Sequence, residues 1–481
     1  HVGIVFPNVS EYFCAEFLIK VVMFLRKCIL VALLPVATVF SAEAGDKRKG
    51  FSFRQDSVSI EAGAASDNSY GGFRKFRFGG YGEMLANFMD YGINRYTGTS
   101  YGNTRQNRAE ISIPRFVFAF DYKFTPKWIL GAEIEFEAGG VGTAVELENS
   151  ENGEYETEIE KGGEVALEQF HITRLILPEL NVRVGHIIVP VGLTNFNHEP
   201  INFFGTSRPE GETTIIPSTW HETGLEIFGT LGRRYARFSY EAMVVAGLNP
   251  NGFDRNEWVA GGKQGLFEVD NFTSPAYVLR VNYEGVPGLR IGGSAYYCPD
   301  AGKNSDQSQT YAGRGKIPVN IYSADAQYKN RYVTARLNMI YGRLGNSAVV
   351  SSANRRLPNA SPYSRLVPVA KNAVSYAGEV GVNLASFFPG VKKFPVIYPF
   401  GRYEYYNPQE KGEASQTMEK RLQVSMWTAG LNYFVLPNLV VKFDYTTRQI
   451  GTSRMFGAHG RYNSENEFGL GIAYVGWFVK K

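Results

Sequence analysis

The residues of this chain best suited to chemistry are carboxylates spaced two apart and two His-Glu pairs. Glu133, Glu135 and Glu137 stand at every second position, a spacing that puts all three on one side of an extended strand. His198-Glu199 and His221-Glu222 set imidazole beside carboxylate, donor types that hold divalent metals. Neither pair has the i, i+4 spacing of a zinc-binding helix, so both read as polar residues of loops or strands. Glu146, Glu148, Glu151, Glu154, Glu156, Glu158 and Glu160 form an acidic run. It reads first as a solvated loop, with calcium binding as the alternative. The histidines (His1, His171, His186, His198, His221, His459) show no Gly-x-Ser-x-Gly setting or similar cue for a hydrolase. Carboxylates in a wide aqueous space are not the desolvated pair that acid–base catalysis needs. No catalytic residue, metal ligand or cofactor is therefore assigned.

The elements that must position these carboxylates are strands. From Phe76 onward the chain alternates with period two. Phe116, Phe118, Phe120 and Tyr122 oppose Arg115, Asp121 and Lys123. Tyr277, Leu279, Val281 and Tyr283 oppose Arg280, Asn282 and Glu284, and Leu439, Val441, Phe443 and Tyr445 oppose Lys442, Asp444 and Thr446. Short turns at 125–126, 178–179, 232–233, 285–288, 329–330, 389–393 and 437–438 alternate with long polar loops at 89–104, 139–163, 194–219, 248–275, 298–316, 344–373, 408–423 and 450–463. Seven turns and eight loops join sixteen strands. A soluble sandwich would need a partner sheet to bury its aromatic face. Sixteen up-and-down strands curl instead into a closed barrel with a polar interior and an apolar, lipid-facing outside. The fold class is therefore all-β, a transmembrane antiparallel β-barrel of about sixteen strands. Its turns are short on the periplasmic side and its loops long on the extracellular side. Tyr122, Phe124, Trp128, Tyr283, Tyr328, Tyr332, Trp427 and Tyr433 suit an interfacial girdle.

Composition agrees. Charged residues are 20% and aromatics 14%, with 52 glycines among 481 residues, as suits extended structure with one face out of water. Residues 23–44 read as a cleaved secretory signal. Arg26 and Lys27 precede an apolar run from Cys28 to Phe40, and Ala42-Glu43-Ala44 supplies the small residues of a cleavage site. That run is shorter than the ~20 residues of a spanning helix. Residues 1–22 read as translated upstream sequence, and 45–75 as a periplasmic lead-in to a barrel at 76–481. Removing 1–44 takes away three basic and three acidic residues, leaving 50 − 3 = 47 against 46 − 3 = 43, or +4. This mild charge excludes a nucleic-acid role. Cys298 is then the single cysteine, which excludes an intrachain disulfide and zinc-ribbon motifs.

Several stretches resemble the phosphate-selective porin O and P family, in its Bacteroidetes-like branch. Phe76-Arg-Phe-Gly-Gly-Tyr-Gly-Glu83 resembles its opening strand. Val182-Arg-Val-Gly-His186 to Val189-Pro-Val-Gly-Leu193 resembles the strand entering its third loop. Arg208-Pro-Glu-Gly-Glu212 and Pro217-Ser-Thr-Trp-His-Glu-Thr-Gly224 resemble that loop and the next strand. The resemblance implies an outer-membrane porin that passes small hydrophilic solutes or ions, such as phosphate, and that forms a homotrimer. It also implies a third loop folded inward. Phe196, Phe203 and Phe204 are suited to anchor that loop, and Asn195, Asn197, Asn202 and Arg208 to present polar groups at a constriction.

The charges depart from the family's arginine ladder. On the polar face stand Arg77, Arg115, Lys123, Arg183, Arg237, Arg280, Arg290, Arg336, Arg402, Lys442 and Arg448. Against them stand Glu83, Asp121, Glu133, Glu135, Glu137, Glu241, Glu284, Asp325, Glu379, Glu404 and Asp444. Eleven against eleven leaves no bulk preference for anions, so selectivity falls to the narrowest point. The chain also runs past Trp477-Phe478 to Lys481, unlike barrels that end on an aromatic. The readings set beside a porin are a surface-binding protein, a barrel hydrolase and a gated transporter. The last would need an N-terminal plug of well over a hundred residues, against a lead-in of about 30 between Gly45 and Lys75.

Overall fold

The structure is a computed structural model. It describes residues 73–91, 106–137, 145–149, 155–159, 164–264, 270–305, 308–358, 361, 363–391, 394–413, 416–451 and 464–481. The expected leader and the lead-in up to residue 72 lie outside the described residues. All of the described residues belong to one compact unit, Phe51–Lys481.

Period-two patterning yields the strands it predicts. They are β1 (Phe76–Tyr91), β2 (Gln106–Thr125), β3 (Trp128–Glu137), β4 (Val145–Asn149), β5 (Tyr155–Ile159), β6 (Glu164–Leu177), β7 (Leu180–Ile188), β8 (His221–Leu231) and β9 (Phe238–Val245). There follow β10 (Ala276–Tyr283), β11 (Leu289–Cys298), β12 (Val319–Lys329), β13 (Val333–Leu344), β14 (Asn372–Val382), β15 (Val396–Lys411), β16 (Val424–Leu436), β17 (Leu439–Ile450) and β18 (Ser464–Lys480). Among the described residues sixteen of these form one closed antiparallel barrel, each strand paired with its sequence neighbours and β1 with β18. The remaining two, β4 and β5, pair as a hairpin within the segment read above as loop 139–163. The calcium reading of that acidic run falls outside the described side chains.

Burial runs opposite to a soluble protein. On β10, Leu279 is 51% exposed while Arg280 next to it is 0% exposed. The same inversion holds on β17, where Phe443 and Tyr445 face out and Lys442 and Asp444 are buried. Charges inside and apolar residues outside are stable only against hydrocarbon, where closure also satisfies every edge. Aromatics gather in two belts. At the short turns Tyr122 packs on Phe124 and Tyr283 on Phe238. Toward the long loops Trp427 packs on Tyr403, with Tyr277, Tyr297 and Tyr445 half-exposed nearby in strand level.

The long loops are not simply polar, as their composition suggested. Leu248, Phe253, Trp258 and Val259, Ala301 and Tyr311, and Val350, Ala353, Val369 and Ala370 bury together against the inner faces of β9 to β14. Val189, Val191, Ile215, Ile216 and Trp220 join the same core. A short helix in this cap, Ser347–Asn354, holds its neighbours through Asn354, which donates to the Pro250 and Phe253 carbonyls at 3.0 and 2.7 Å. Gly342 on β13 leaves the space that the Trp258 ring fills. Loop sequence without periodicity hid these apolar residues.

The outward face yields a first expectation. Leu279→Arg sets a cation into the hydrocarbon belt and should cost ~2–4 kcal/mol near midplane. Urea titration of folding into lipid vesicles measures it; a change under about 0.5 kcal/mol would contradict the facing.

Candidate functional site

The segment 189–220 between β7 and β8 turns inward and crosses the lumen. A buried loop backbone must find a hydrogen-bond partner for each N–H and C=O, and the barrel wall supplies them. Basic side chains take carbonyls. Lys442 donates to the carbonyls of Pro200, Phe203 and Gly205, the last two at 3.1 and 2.8 Å. Arg402 donates to Phe204 O and Ser207 O at 2.9 and 3.1 Å, Arg280 to Gly192 O at 3.1 Å, and Arg115 to His198 O at 3.2 Å. Acidic side chains take N–H groups. Asp444 accepts from Thr206 N, Glu404 from Gly211 N at 3.2 Å, and Glu379 from Phe204 N at 3.3 Å.

The loop also braces itself. It carries one helical turn and a half, α1 (Glu210–Ile215), and α1 directs Glu212 back at the loop's start. There Glu212 accepts from Leu193 N, Thr194 N and Asn195 N at 3.3, 3.1 and 2.7 Å, and from the Asn338 amide of β13. Asn195 donates to Val189 O and Val191 O at 2.8 and 3.2 Å and accepts from Trp220 N at 2.6 Å. It thereby staples the two ends of the loop. The three phenylalanines anchor as expected. Phe204 stacks on Phe400 at 5.3 Å beneath Arg336, Phe203 lies under Lys442 at 4.2 Å, and Phe196 under Arg280 at 5.1 Å. Gly469 on β18 gives Thr206 its seat, because a Cβ there would overlap that side chain.

Of the residues expected to line a pore, most face the lumen but are spoken for. Arg77 pairs with Asp121, Arg115 with Glu83 at 2.9 Å, Arg183 with Glu226 at 2.7 Å, Arg280 with Asp325 at 2.7 Å and Arg336 with Glu379. Arg280 and Lys442 are buried under the loop, so they hold it rather than meet solute. Glu133 and Glu135 are likewise buried. Arg237 sits in a short turn, half-exposed, 3.6 Å from Glu284. Lys123 reaches the Phe73 carbonyl at 2.9 Å. Asn195 is a staple instead of a solute contact. Asn197 and Asn202 bond within the loop, to Leu193 O and Glu199, beside a cavity of about 20 Å³. His198 and His221, read above as loop polar residues, are buried within 6.3 Å of each other, ring to ring.

Open space remains on one side. A cavity of about 410 Å³ lies between the loop and the inner faces of β15 to β18. Thr206, Ser207, Arg208, Glu210, Thr213 and Ser218 line it from the loop, and Arg402, Met426, Asp444, Thr446, Arg448 and Glu467 from the wall. Arg448 pairs with Glu210 at 2.6 Å and with Glu467 at 2.8 Å. Arg208 bonds the Thr219 hydroxyl at 3.4 Å. Among the described residues no carboxylate lies within ion-pair distance of it. Of Asn195, Asn197, Asn202 and Arg208, Arg208 is the one that lines this cavity. Glu210 and Glu467 were missed. The alternation of β18, continued back from Gly469 through Glu467, carried the signal for the second.

Comparison with known proteins agrees on architecture. No family model matches the chain. A protein of Aquifex aeolicus (strain VF5), described as uncharacterized, is 26% identical over 395 residues, covering 80% of this chain and 78% of that one. Among solved structures, the Salmonella typhi OmpF complex with daunomycin superposes with a TM-score of 0.50 at 11% identity, over 84% of this chain and 98% of that one. The outer membrane channel DcaP of Acinetobacter baumannii gives 0.48 at 12% identity, over 85% and 99%. The fold is that of a porin barrel. At 11% identity the likeness to OmpF is one of fold alone.

The bonding pattern makes a second expectation. Lys442→Met keeps the bulk but leaves three loop carbonyls without their donor, at about 1–3 kcal/mol for each group left dry. Limited proteolysis should then cut within 197–207 at least about tenfold faster than in the parent barrel. Equal rates would show that the loop is held elsewhere.

Proposed function

We propose that this chain is an outer-membrane porin that lets small hydrophilic solutes or ions diffuse passively. The observation that carries the reading is the cavity of about 410 Å³ left on one side, between the inward loop and β15 to β18. A closed barrel with a charge-lined gap on one side and an apolar packing core elsewhere suits conduction through that gap. The cap over β9 to β14 leaves the route off-axis.

Selectivity in this reading lies at the gap. Its lining cations are Arg208, Arg402 and Arg448, and its lining anions Glu210, Asp444 and Glu467. Arg402 is engaged with Glu404 and the loop, and Arg448 with two carboxylates. Arg208 is left as the cation that a passing anion meets, which favours anions, phosphate among them. Membership of the phosphate-selective porin O and P family, the homotrimer and the cleaved leader 23–44 belong to the same proposal. They rest on the resemblance of residues 182–224 and on the pattern ending at Ala44.

Planar-bilayer recording with asymmetric KCl, then phosphate, tests this. A unit charge about 8 Å from a permeating ion at an effective dielectric of ~20–40 is worth ~1–2 kcal/mol. Arg208→Glu changes the charge by two units, ~2–4 kcal/mol, and should therefore move the reversal potential toward cations, with a permeability ratio changed by about thirtyfold or more. Deleting residues 197–207 should raise single-channel conductance. Unchanged conductance and selectivity in both variants would place the passage elsewhere.

A further inference from the structure

We infer that Glu133, Glu168 and His198 form a binding site for a divalent transition metal, of the zinc type, that ties the inward loop to the barrel wall. One ligand atom from each lies within 4.8 Å of the others, and all three residues are buried. The three come from separate elements, β3, β6 and the loop.

Each ligand is prepared by its neighbours. His198 is 2% exposed. Its Nδ1 is 3.2 Å from the Asn195 carbonyl, and a carbonyl can only accept, so Nδ1 carries the proton. Nε2 is then a bare lone pair, and it has no partner. A histidine fixed in this tautomer by a backbone carbonyl is the usual second-shell arrangement behind a metal-bound imidazole. Glu133 accepts from Gln169 through one oxygen, and Glu168 from Tyr81 at 3.5 Å through one oxygen. Glu168 also shares a hydrogen bond with the buried Glu135 carboxyl, a contact that a bound cation would replace. Glu168 faces inward because of a register shift in which Glu133 pairs with Gln169 and Ile134 with Leu167. Glu168 is the extra residue of that bulge, and bulges recur where a strand must re-aim a side chain.

Charge points the same way. Arg115 reaches this cluster through Glu83 and through the His198 carbonyl. Arg208 and Lys263 act on it as well, and against these three positive charges stand Glu83, Glu133, Glu135, Glu168 and Glu199, all buried. A divalent cation offsets that excess. One imidazole and two carboxylates suit a borderline metal with an open fourth position better than calcium, which takes six or more oxygens. Tetrahedral ligands at ~2.0–2.2 Å stand about 3.3–3.6 Å apart, a contraction that rotation of the two glutamates supplies.

The test uses the full-length folded barrel, stripped with chelator and titrated with Zn²⁺, with Co²⁺ as the spectroscopic probe. About one equivalent per chain should bind, and Co²⁺ should show the intense visible band of a low-coordinate site. His198→Ala and Glu168→Gln, each checked for heat-resistant migration as a folded barrel, should weaken binding beyond the roughly 10–100-fold that loss of an outer partner costs. If one variant does not fold, the other decides. Binding below about a tenth of an equivalent would overturn the inference. So would full-strength binding in either folded variant, which would move the metal to another site such as the acidic run 146–160. Displacement of Zn²⁺ by an equal concentration of Ca²⁺ would also overturn it. None of these readings depends on conductance, so the site stands or falls apart from the channel.

Discussion

A polypeptide segment that crosses the inside of a barrel leaves its backbone where water is scarce, and every N–H and C=O then needs a partner. That constraint governs the lumen. Lys442 alone takes three carbonyls of the inward loop, Arg402 two more, and Asp444, Glu404 and Glu379 take N–H groups. The loop's place, the cavity left on one side of it and the buried His198 all follow from this bonding.

The presence of both signs of charge on the inner wall acquires a physical reason. Carbonyls need donors and N–H groups need acceptors, so a wall that clamps a peptide must carry both signs. A ladder of arginines alone would leave the loop N–H groups unmatched. The same charges screen one another in pairs such as Arg280–Asp325 and Arg183–Glu226. Most of the lumen's charge is therefore paired within the wall and the loop.

The strands were legible because facing and period coincide. Leu279 beside Arg280, or Phe443 beside Lys442, states its face by type alone. The inward loop was expected only from the family resemblance of residues 182–224, with Phe196, Phe203 and Phe204 suited to anchor it. Two things were hidden. Loop residues such as Trp258 and Val350 carry no period, so their shared core over β9 to β14 exists only in three dimensions. The bulge at Glu168 breaks the alternation that would have marked its side chain as inward. Asn195 looked like a solute contact because an amide's chemistry does not say whether its partner is a ligand or the chain's own backbone.

The central claim is that the loop lies across the lumen against β18. Cysteines placed at Thr206 and Gly469 test it directly, since Thr206 occupies the space that a side chain at 469 would enter. In membrane-inserted protein treated with a mild oxidant, the account predicts that the Thr206→Cys, Gly469→Cys pair crosslinks nearly completely within the chain, seen as a reducible shift in gel mobility. Two free thiols, both open to a membrane-impermeant maleimide and never joined, would contradict it.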